Sequence, residues 1–120
     1  MKHTEAGIDW RSVCPISSAL DVLGDKWSLL IIRDLLIHGP RTYSQLLESP
    51  EQISTNILAA RLQLLACMGL IERASPDGAS RNNPYRLTAS GSALRPVLEA
   101  LGSWAGSHLS DVHADMVKLG

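Results

Sequence analysis

Ser54, Thr55 and Asn56 form a run of hydrogen-bonding side chains at the start of a long predicted helix. The first turn of a helix exposes backbone amides, which attract phosphate groups. An Asn amide can pair with adenine in the major groove of DNA, and a Thr methyl group can contact thymine. We therefore expect this trio to contact bases or phosphates. The alternative is that Ser54 only caps the helix and that its neighbours are solvated.

The predicted helix over residues 53–68 has two contrasting faces. Leu58, Leu62 and Leu65 recur at i, i+4 and i+7, which is typical of a face packed on a core. Ala60 and Gln63 lie on the opposite side, where there is no large hydrophobic side chain. A small, uncharged face suits insertion into a groove, so we expect Ala60 and Gln63 to extend the contact surface of the trio.

Polar and cationic residues elsewhere are further candidates for DNA contact. Arg61 is predicted either to reach a phosphate or to brace the fold through an acid such as Glu48. The other candidates are Lys26, Arg41 and Tyr43, with Arg81 and Asn82 in a predicted wing loop. For each of them the alternative is an ordinary solvated surface residue.

Cys14 is the candidate for thiol chemistry. It precedes Pro15 at a predicted helix start, where backbone amides favour a thiolate. The alternative is a small buried hydrophobic residue. Cys67 falls near the end of the long helix, where the helix dipole disfavours a thiolate, so we expect it at most to be a resolving partner. His108 and His113 have no completing ligand nearby, and neither a metal site nor a cofactor is predicted.

Composition favours one globular domain without a global polyanion-binding signature. The chain has 120 residues, is 45% hydrophobic and carries a formal net charge of −1. Residues 26–86 carry seven Lys/Arg and five acidic residues, so the small positive excess lies where the candidate contacts lie. No signal-peptide or membrane-spanning pattern is evident, and two cysteines without metal-ligand spacing favour the cytoplasm.

The elements that position these residues are predicted from breakers and periodicity. A helix begins at Pro15 and ends at Gly24, and a second, capped by Asp25, covers about 26–37. A bridge at 41–42, a short helix, the helix of 53–68 and a hairpin of 70–74 with 85–87 follow. A last helical region, about 89–119, is expected to kink at Pro96 or to begin near it. This order predicts a mainly α fold with a small β-hairpin, a winged helix-turn-helix with extra helices at both ends.

A homodimer is predicted from the terminal apolar stripe of residues 94–116. That stripe would expose much apolar surface on a monomer, so we expect it to form an interface with the first helix and Trp10. The alternative is that Leu101 and Trp104 pack on their own domain. Ile16, Leu20 and Leu23 are expected to be the buried side of the first helix. Residues 1–12 are predicted to form a flexible arm, and residues 13–120 the domain.

Four segments resemble the HxlR-type transcriptional regulators of the wider MarR-like winged-helix group. They are CPISSALDVLGDKW, LLIIRDLLIHGPRTYSQL, ISTNILAARLQLLACMGLIER and YRLTASG, and the resemblance covers about residues 14–101. It implies a homodimeric DNA-binding repressor or activator, often one that responds to redox or electrophilic signals. The wing, SPDGASRNNP, departs from the family because it lacks the usual proline-valine pattern.

Together these features predict a sequence-specific regulator that binds a pseudo-palindromic operator as a homodimer and responds to an electrophile through Cys14. A regulator that responds to a small molecule without thiol sensing is the main alternative. A winged-helix module that binds only protein is another. A cysteine-dependent enzyme is disfavoured, because no histidine has a recognisable relation to Cys14 and no phosphate-binding loop is present.

Overall fold

The computed structural model describes residues 7–75 and 82–117. Its elements run in the order of a winged helix-turn-helix, in which two helices joined by a turn are followed by a hairpin. The bounds are α1 Pro15–Leu23, α2 Ser28–His38, α3 Tyr43–Leu46, α4 Thr55–Cys67, β1 Ile71–Arg73, β2 Tyr85–Leu87, α5 Ala89–Ser92 and α6 Arg95–His108. The predicted fold class is therefore confirmed.

Short-range side-chain caps set where the helices begin. The Asp25 carboxylate accepts from the Trp27 and Ser28 amides, each at 2.9 Å, which starts α2 two residues later than predicted. Thr42 and Gln45 form a reciprocal capping box on α3. The Ser54 hydroxyl accepts from the Ile57 amide at 3.3 Å, so Ser54 is the N-cap of α4 as predicted.

The wing follows α4 after one left-handed residue, Gly69, with φ of 76°. Strands β1 and β2 are antiparallel and pair Ile71 with Leu87. Arg41 joins them through a two-way backbone bridge with Tyr85, at 3.0 and 2.8 Å, which confirms the bridge predicted at 41–42. The hairpin is thus attached to the segment that leads into α3.

One core joins α2, α3, α4 and β1. It is made of buried aliphatic side chains, namely Ile31, Ile32, Leu35, Leu46, Ile53, Leu58, Leu62, Leu65 and Ile71. Burial of these side chains is the main stabilising contribution. Because the three leucines of α4 face this core, the opposite face of α4 is directed away from it.

Two predictions about the flanking helices were wrong. Ile16 and Leu20 are 73% and 54% exposed, so the predicted buried side of α1 is mostly open in one copy of the chain. The terminal region is not one helix over 89–119, because α5 and α6 are separate and α6 ends at His108. Pro96 lies in the first turn of α6, in agreement with a helix that begins near it.

Part of the predicted N-terminal arm contacts the domain. Ile8 is buried, and Trp10 is half-buried. The Arg11 guanidinium forms an ion pair with Asp21 on α1. These contacts attach residues 8–11 to the domain.

Candidate nucleic-acid interface

The exposed face of α4 is small, polar and uncharged. Ser54, Thr55, Asn56, Ala60 and Gln63 are all exposed. The face therefore combines hydrogen-bonding groups at its first turn with an alanine that permits close approach of another surface. The structure brings these five predicted residues together on one surface.

Tyr43 fixes the start of α4 from the neighbouring helix. Its hydroxyl donates to the Thr55 backbone carbonyl at 2.8 Å. Because the phenolic proton is used in this bond, it is not free to donate to a phosphate. The sequence indicated Tyr43 as a phosphate contact, whereas the geometry gives it a positioning role.

Arg61 braces the fold rather than projecting outward. Its Nη1 lies 3.3 Å from Asp25 Oδ1, so the acid that it pairs with is Asp25, whereas the sequence offered Glu48 as an example. Burial alone would raise the pKa of Asp25, but hydrogen bonds from Ser28 and Trp27 and the charge of Arg61 outweigh it and lower that pKa. One carboxylate therefore caps α2 and holds α4 against it.

A second ionic cluster holds the turn between α3 and α4. Arg33 donates to both carboxylate oxygens of Glu51, each at 2.8 Å, and its guanidinium also lies 2.9 Å from Asp34. The Ser49 hydroxyl donates to Glu51 at 2.8 Å. The hydrogen bonds from Arg33 lower the pKa of Glu51 to about 2, despite some burial. Sequence reasoning missed this cluster, because nothing local links residue 33 to residue 51.

Glu51 comes directly before Gln52, whose backbone conformation is strained. Gln52 has φ of 61°, a conformation that non-glycine residues rarely adopt. The next residue, Ile53, returns to the core. The Arg33–Glu51 pair therefore anchors a strained turn directly before α4.

Lys26 and Arg41 differ in how they are held. Lys26 is exposed, and its Nζ lies 5.3 Å from the centre of the Trp27 ring. Arg41 is half-buried and uses its backbone in the bridge to Tyr85. Its side chain borders a hollow that also contains Asp34 and Glu48, which opposes binding of a phosphate there.

The wing is described only at its base. Arg81 lies outside the described residues, and Asn82 is exposed. Asn83 is buried and binds both the amide and the carbonyl of Ser75, at 2.9 and 2.7 Å. These two hydrogen bonds of the Asn83 side chain link the two arms of the hairpin at the base of the wing.

A groove of about 450 Å³ lies between α4 and the hairpin, and sequence reasoning missed the cation in it. The Arg73 guanidinium lies 4.1 Å from the centre of the Tyr85 ring and donates to the Asn83 carbonyl at 2.7 Å. Gln63 lines the same groove. The pairing of Arg73 with Tyr85 in the strand register was the signal that could have revealed this contact.

Both cysteines are free and exposed. Cys14 occupies the N-cap of α1, and its side chain makes no capping hydrogen bond. In a single copy of the chain, Cys14 is therefore not the small buried residue of the alternative interpretation. Cys67 is the last residue of α4. Within residues 7–75 and 82–117, no group of His, Cys, Asp and Glu is arranged to hold a metal ion.

Comparison with known proteins decides the family. The profile of HxlR-like helix-turn-helix proteins matches residues 22–113. The chain belongs to the HxlR-like helix-turn-helix family. In the described part of this HxlR-like chain, no helix is long and apolar enough to cross a membrane.

Curated relatives of this HxlR-like chain are HTH-type transcriptional regulators. The regulator sll1512 of Synechocystis sp. is 38% identical over 89 residues, which are 74% of this chain and 65% of that protein. YodB of Bacillus subtilis is 34% identical over 96 residues, 79% of this chain and 85% of YodB. The chain thus spans slightly less than two thirds of the length of the Synechocystis relative.

Solved structures have the same fold. The crystal structure of PA1607 superposes with a TM-score of 0.76 at 34% identity and covers 91% of this chain and 75% of that one. Quinone-bound YodB from B. subtilis superposes with a TM-score of 0.66 at 34% identity, covering 78% of this chain and 99% of that one. The winged helix-turn-helix of this HxlR-like chain is therefore that of a family of transcriptional regulators.

Proposed function

We propose that this chain is a sequence-specific DNA-binding regulator that inserts α4 into the major groove. The observation that carries this proposal is the exposed, uncharged face of α4, whose first turn is fixed by Tyr43. A helix that reads base edges must approach them closely and in a constant orientation. Ala60 permits the approach, and the bonds of Tyr43 and Glu51 hold the orientation.

The proposed DNA contacts fall into two classes, contacts to base edges and contacts to phosphates. Asn56 and Gln63 have the amide groups that pair with base edges, while Ser54 and Thr55 present the first-turn amides to phosphate. Lys26 and the wing residues Arg81 and Asn82 are assigned to the phosphate backbone. Arg41 is not assigned to it, because its side chain borders Asp34 and Glu48. Arg61 supports α4 through Asp25 and does not count among these contacts.

The proposed assembly is a homodimer built on α1 and α6. No residue of α6 is buried, and Val97, Leu101 and Trp104 are 48%, 52% and 55% exposed. Ile16 and Leu20 add a second apolar surface on α1. Apolar patches of this kind mark protein interfaces. A two-fold pair would place two α4 helices on successive major grooves of a pseudo-palindromic operator.

Cys14 is the proposed sensor of electrophiles. Its thiol is exposed at the start of α1, beside the proposed dimer surface. The relative YodB has been solved in quinone-bound and reduced forms. In the proposed step, the Cys14 thiolate forms an S–C bond to an electron-poor quinone carbon. One quinone oxygen takes up the proton that the thiol released, and the other takes up the proton lost from the attacked ring carbon. The product is a substituted hydroquinone bound to sulfur, so no external oxidant is needed.

A cytoplasmic location is part of the proposal, because the operator lies there. The second candidate is a regulator that responds to a small molecule without thiol sensing. It is favoured by a cleft of about 330 Å³ beside α6. Treatment with benzoquinone separates the two, because only thiol sensing changes operator affinity in the wild type and not in Cys14→Ser. Cys67→Ser is the matched control and should respond like the wild type.

A gel-shift assay on the DNA upstream of the gene tests the central proposal. Binding should fall steeply as salt rises, and random DNA should compete poorly. Equal competition by random DNA would contradict sequence-specific recognition. Failure to bind any DNA, with a folded dimer, would instead favour a module that binds protein.

A further inference from the structure

A cleft of about 330 Å³ lies between α2 and α6. Leu36, Ile37 and Leu98 form its apolar wall. Ile37 is 67% exposed, although it is a large aliphatic residue on a helix that otherwise packs into the core. The volume is near the lower end of small-ligand sites, which begin at about 300 Å³.

Two opposite charges border this apolar wall. Arg95 and Glu99 both line the cleft, one helical turn apart on α6. Neither side chain forms an ion pair or hydrogen bond within the described ranges. Helix stability does not explain Arg95, because a cation in the first turn opposes the helix dipole. Among the described residues, the cleft therefore offers one unpaired cation, Arg95, and one unpaired carboxylate, Glu99, next to apolar surface.

The proposed dimer leaves this cleft open. Arg95, Glu99 and Ser103 recur every four residues and face the cleft. Leu101 and Trp104 lie on nearly the opposite side of the same helix. A second copy bound to that side would not fill the cleft.

Arg33 connects the cleft to the helix-turn-helix. It lines the cleft, and its guanidinium holds Glu51 at 2.8 Å. Glu51 in turn supports the left-handed Gln52 directly before α4. A ligand that contacts or displaces Arg33 would change the support of this turn, and differential binding to the two arrangements is what allosteric coupling requires.

We propose that this cleft is an effector site for a small apolar zwitterion of the α-amino acid class. The ligand carboxylate pairs with Arg95, its ammonium group pairs with Glu99, and its side chain packs on Leu36, Ile37 and Leu98. A plain carboxylic acid or amine would satisfy only one of the two charges. The site itself is independent of the proposed function, whereas its effect on operator affinity depends on that function.

Isothermal titration calorimetry without DNA tests the site. L-leucine and L-phenylalanine are expected to bind, whereas isocaproic acid and isopentylamine, which lack the ammonium and the carboxylate respectively, bind about tenfold more weakly. Arg95→Gln and Glu99→Gln should each weaken L-leucine about tenfold, and Ile37→Trp should block it by filling the cleft. Asp111→Asn removes an exposed charge outside the cleft and should bind like the wild type.

Equal binding of L-leucine to the wild type, Arg95→Gln and Glu99→Gln would overturn the proposal. So would equal binding of isocaproic acid and L-leucine, because the ammonium group would then have no role. Absence of binding by both amino acids, in a protein with a normal helical circular-dichroism spectrum, would overturn it as well.

The effector role needs a second measurement. L-leucine should shift operator affinity at least threefold in the wild type and leave it unchanged in Glu51→Gln, which still binds the ligand by calorimetry. Calorimetric binding with no shift in the wild type would overturn the effector role. If the ligand-free protein bound no DNA at all, the proposed function would fail instead, while the calorimetric result would still decide the site.

Discussion

The hydroxyl of Tyr43 donates to the backbone carbonyl of Thr55 at 2.8 Å and thereby joins α3 to the first turn of α4. This carbonyl belongs to a residue whose side chain lies on the proposed DNA-contact face. A single hydrogen bond therefore sets the position of the contact residues relative to the domain core.

Tyr43→Phe should weaken operator binding about fivefold to tenfold and leave the fold intact. Loss of one such bond costs about 1 kcal/mol, and here the cost falls on the orientation of α4. Fluorescence anisotropy with labelled operator measures the effect. Tyr85→Phe is the matched control, since its hydroxyl makes no hydrogen bond to the described residues. Equal losses in the two variants would contradict the positioning role.

Features that depend on neighbours in the chain could be predicted from the sequence. Asp25 and Ser54 were predicted as helix caps because a cap acts over only two or three residues. The leucine face of α4 was predicted because helical periodicity is local as well. The winged helix-turn-helix followed from the order of such segments.

Features that join distant segments could not be predicted in this way. The partners of Arg61 and Arg33 lie 36 and 18 residues away, and only the fold brings Asp25 and Glu51 to them. The apolar face of α1 was predicted correctly, but its burial was not. Periodicity shows that Ile16 shares a face with other apolar residues and cannot show what covers that face.

The Arg33–Glu51 pair should make stability depend on acid pH. Arg33 lowers the pKa of Glu51 from 4.5 to about 2, so the folded state binds this proton less readily than the unfolded chain. The resulting stability is fully present above about pH 4.5 and is lost as pH falls towards 2. Because the Glu51 side chain is 37% exposed, solvent screening keeps the contribution of this ion pair to the unfolding free energy modest.

Urea unfolding at several pH values tests this linkage. The difference in unfolding free energy between the wild type and Glu51→Gln should shrink as pH falls from 6 to about 2. Glu48→Gln, an exposed acid close in sequence, serves as the control and should show a smaller change. A wild-type advantage that stays constant over this range would contradict the lowered pKa.

Arg61 and Lys26 should differ in the salt dependence of DNA binding. Lys26→Gln should reduce the slope of log affinity against log salt by about 1, as expected for one lost phosphate contact. Arg61→Gln should leave the slope unchanged and lower the melting temperature instead, because it loses the contact with Asp25. Gel shifts over a salt series, together with thermal melts, distinguish the two. A reduced slope for Arg61→Gln would mean that Arg61 contacts phosphate after all.

Asn56→Ala should cost about 1–3 kcal/mol at the operator and relax the base preference at one position. Asn56 is the second residue of α4, and its side chain is exposed. Its removal therefore leaves no buried group unpaired. Selection of bound sequences from a randomised operator library measures the preference. Ser110→Ala, exposed and outside α4, is the comparison variant. An equal loss on operator and random DNA would limit Asn56 to a backbone role.

The two faces of α6 should respond differently to a new charge. Trp104→Glu places a carboxylate in the proposed dimer surface, where Trp104 is 55% exposed in one copy. Loss of its burial in both copies of a two-fold dimer costs about 3 kcal/mol or more, which is about a hundredfold in the dimer dissociation constant. Sedimentation velocity should therefore show a monomer at concentrations where the wild type is dimeric. Ser103→Glu adds the same charge on the cleft face and should remain dimeric, so dissociation of both variants, or of neither, would contradict an interface built on the Trp104 side of α6.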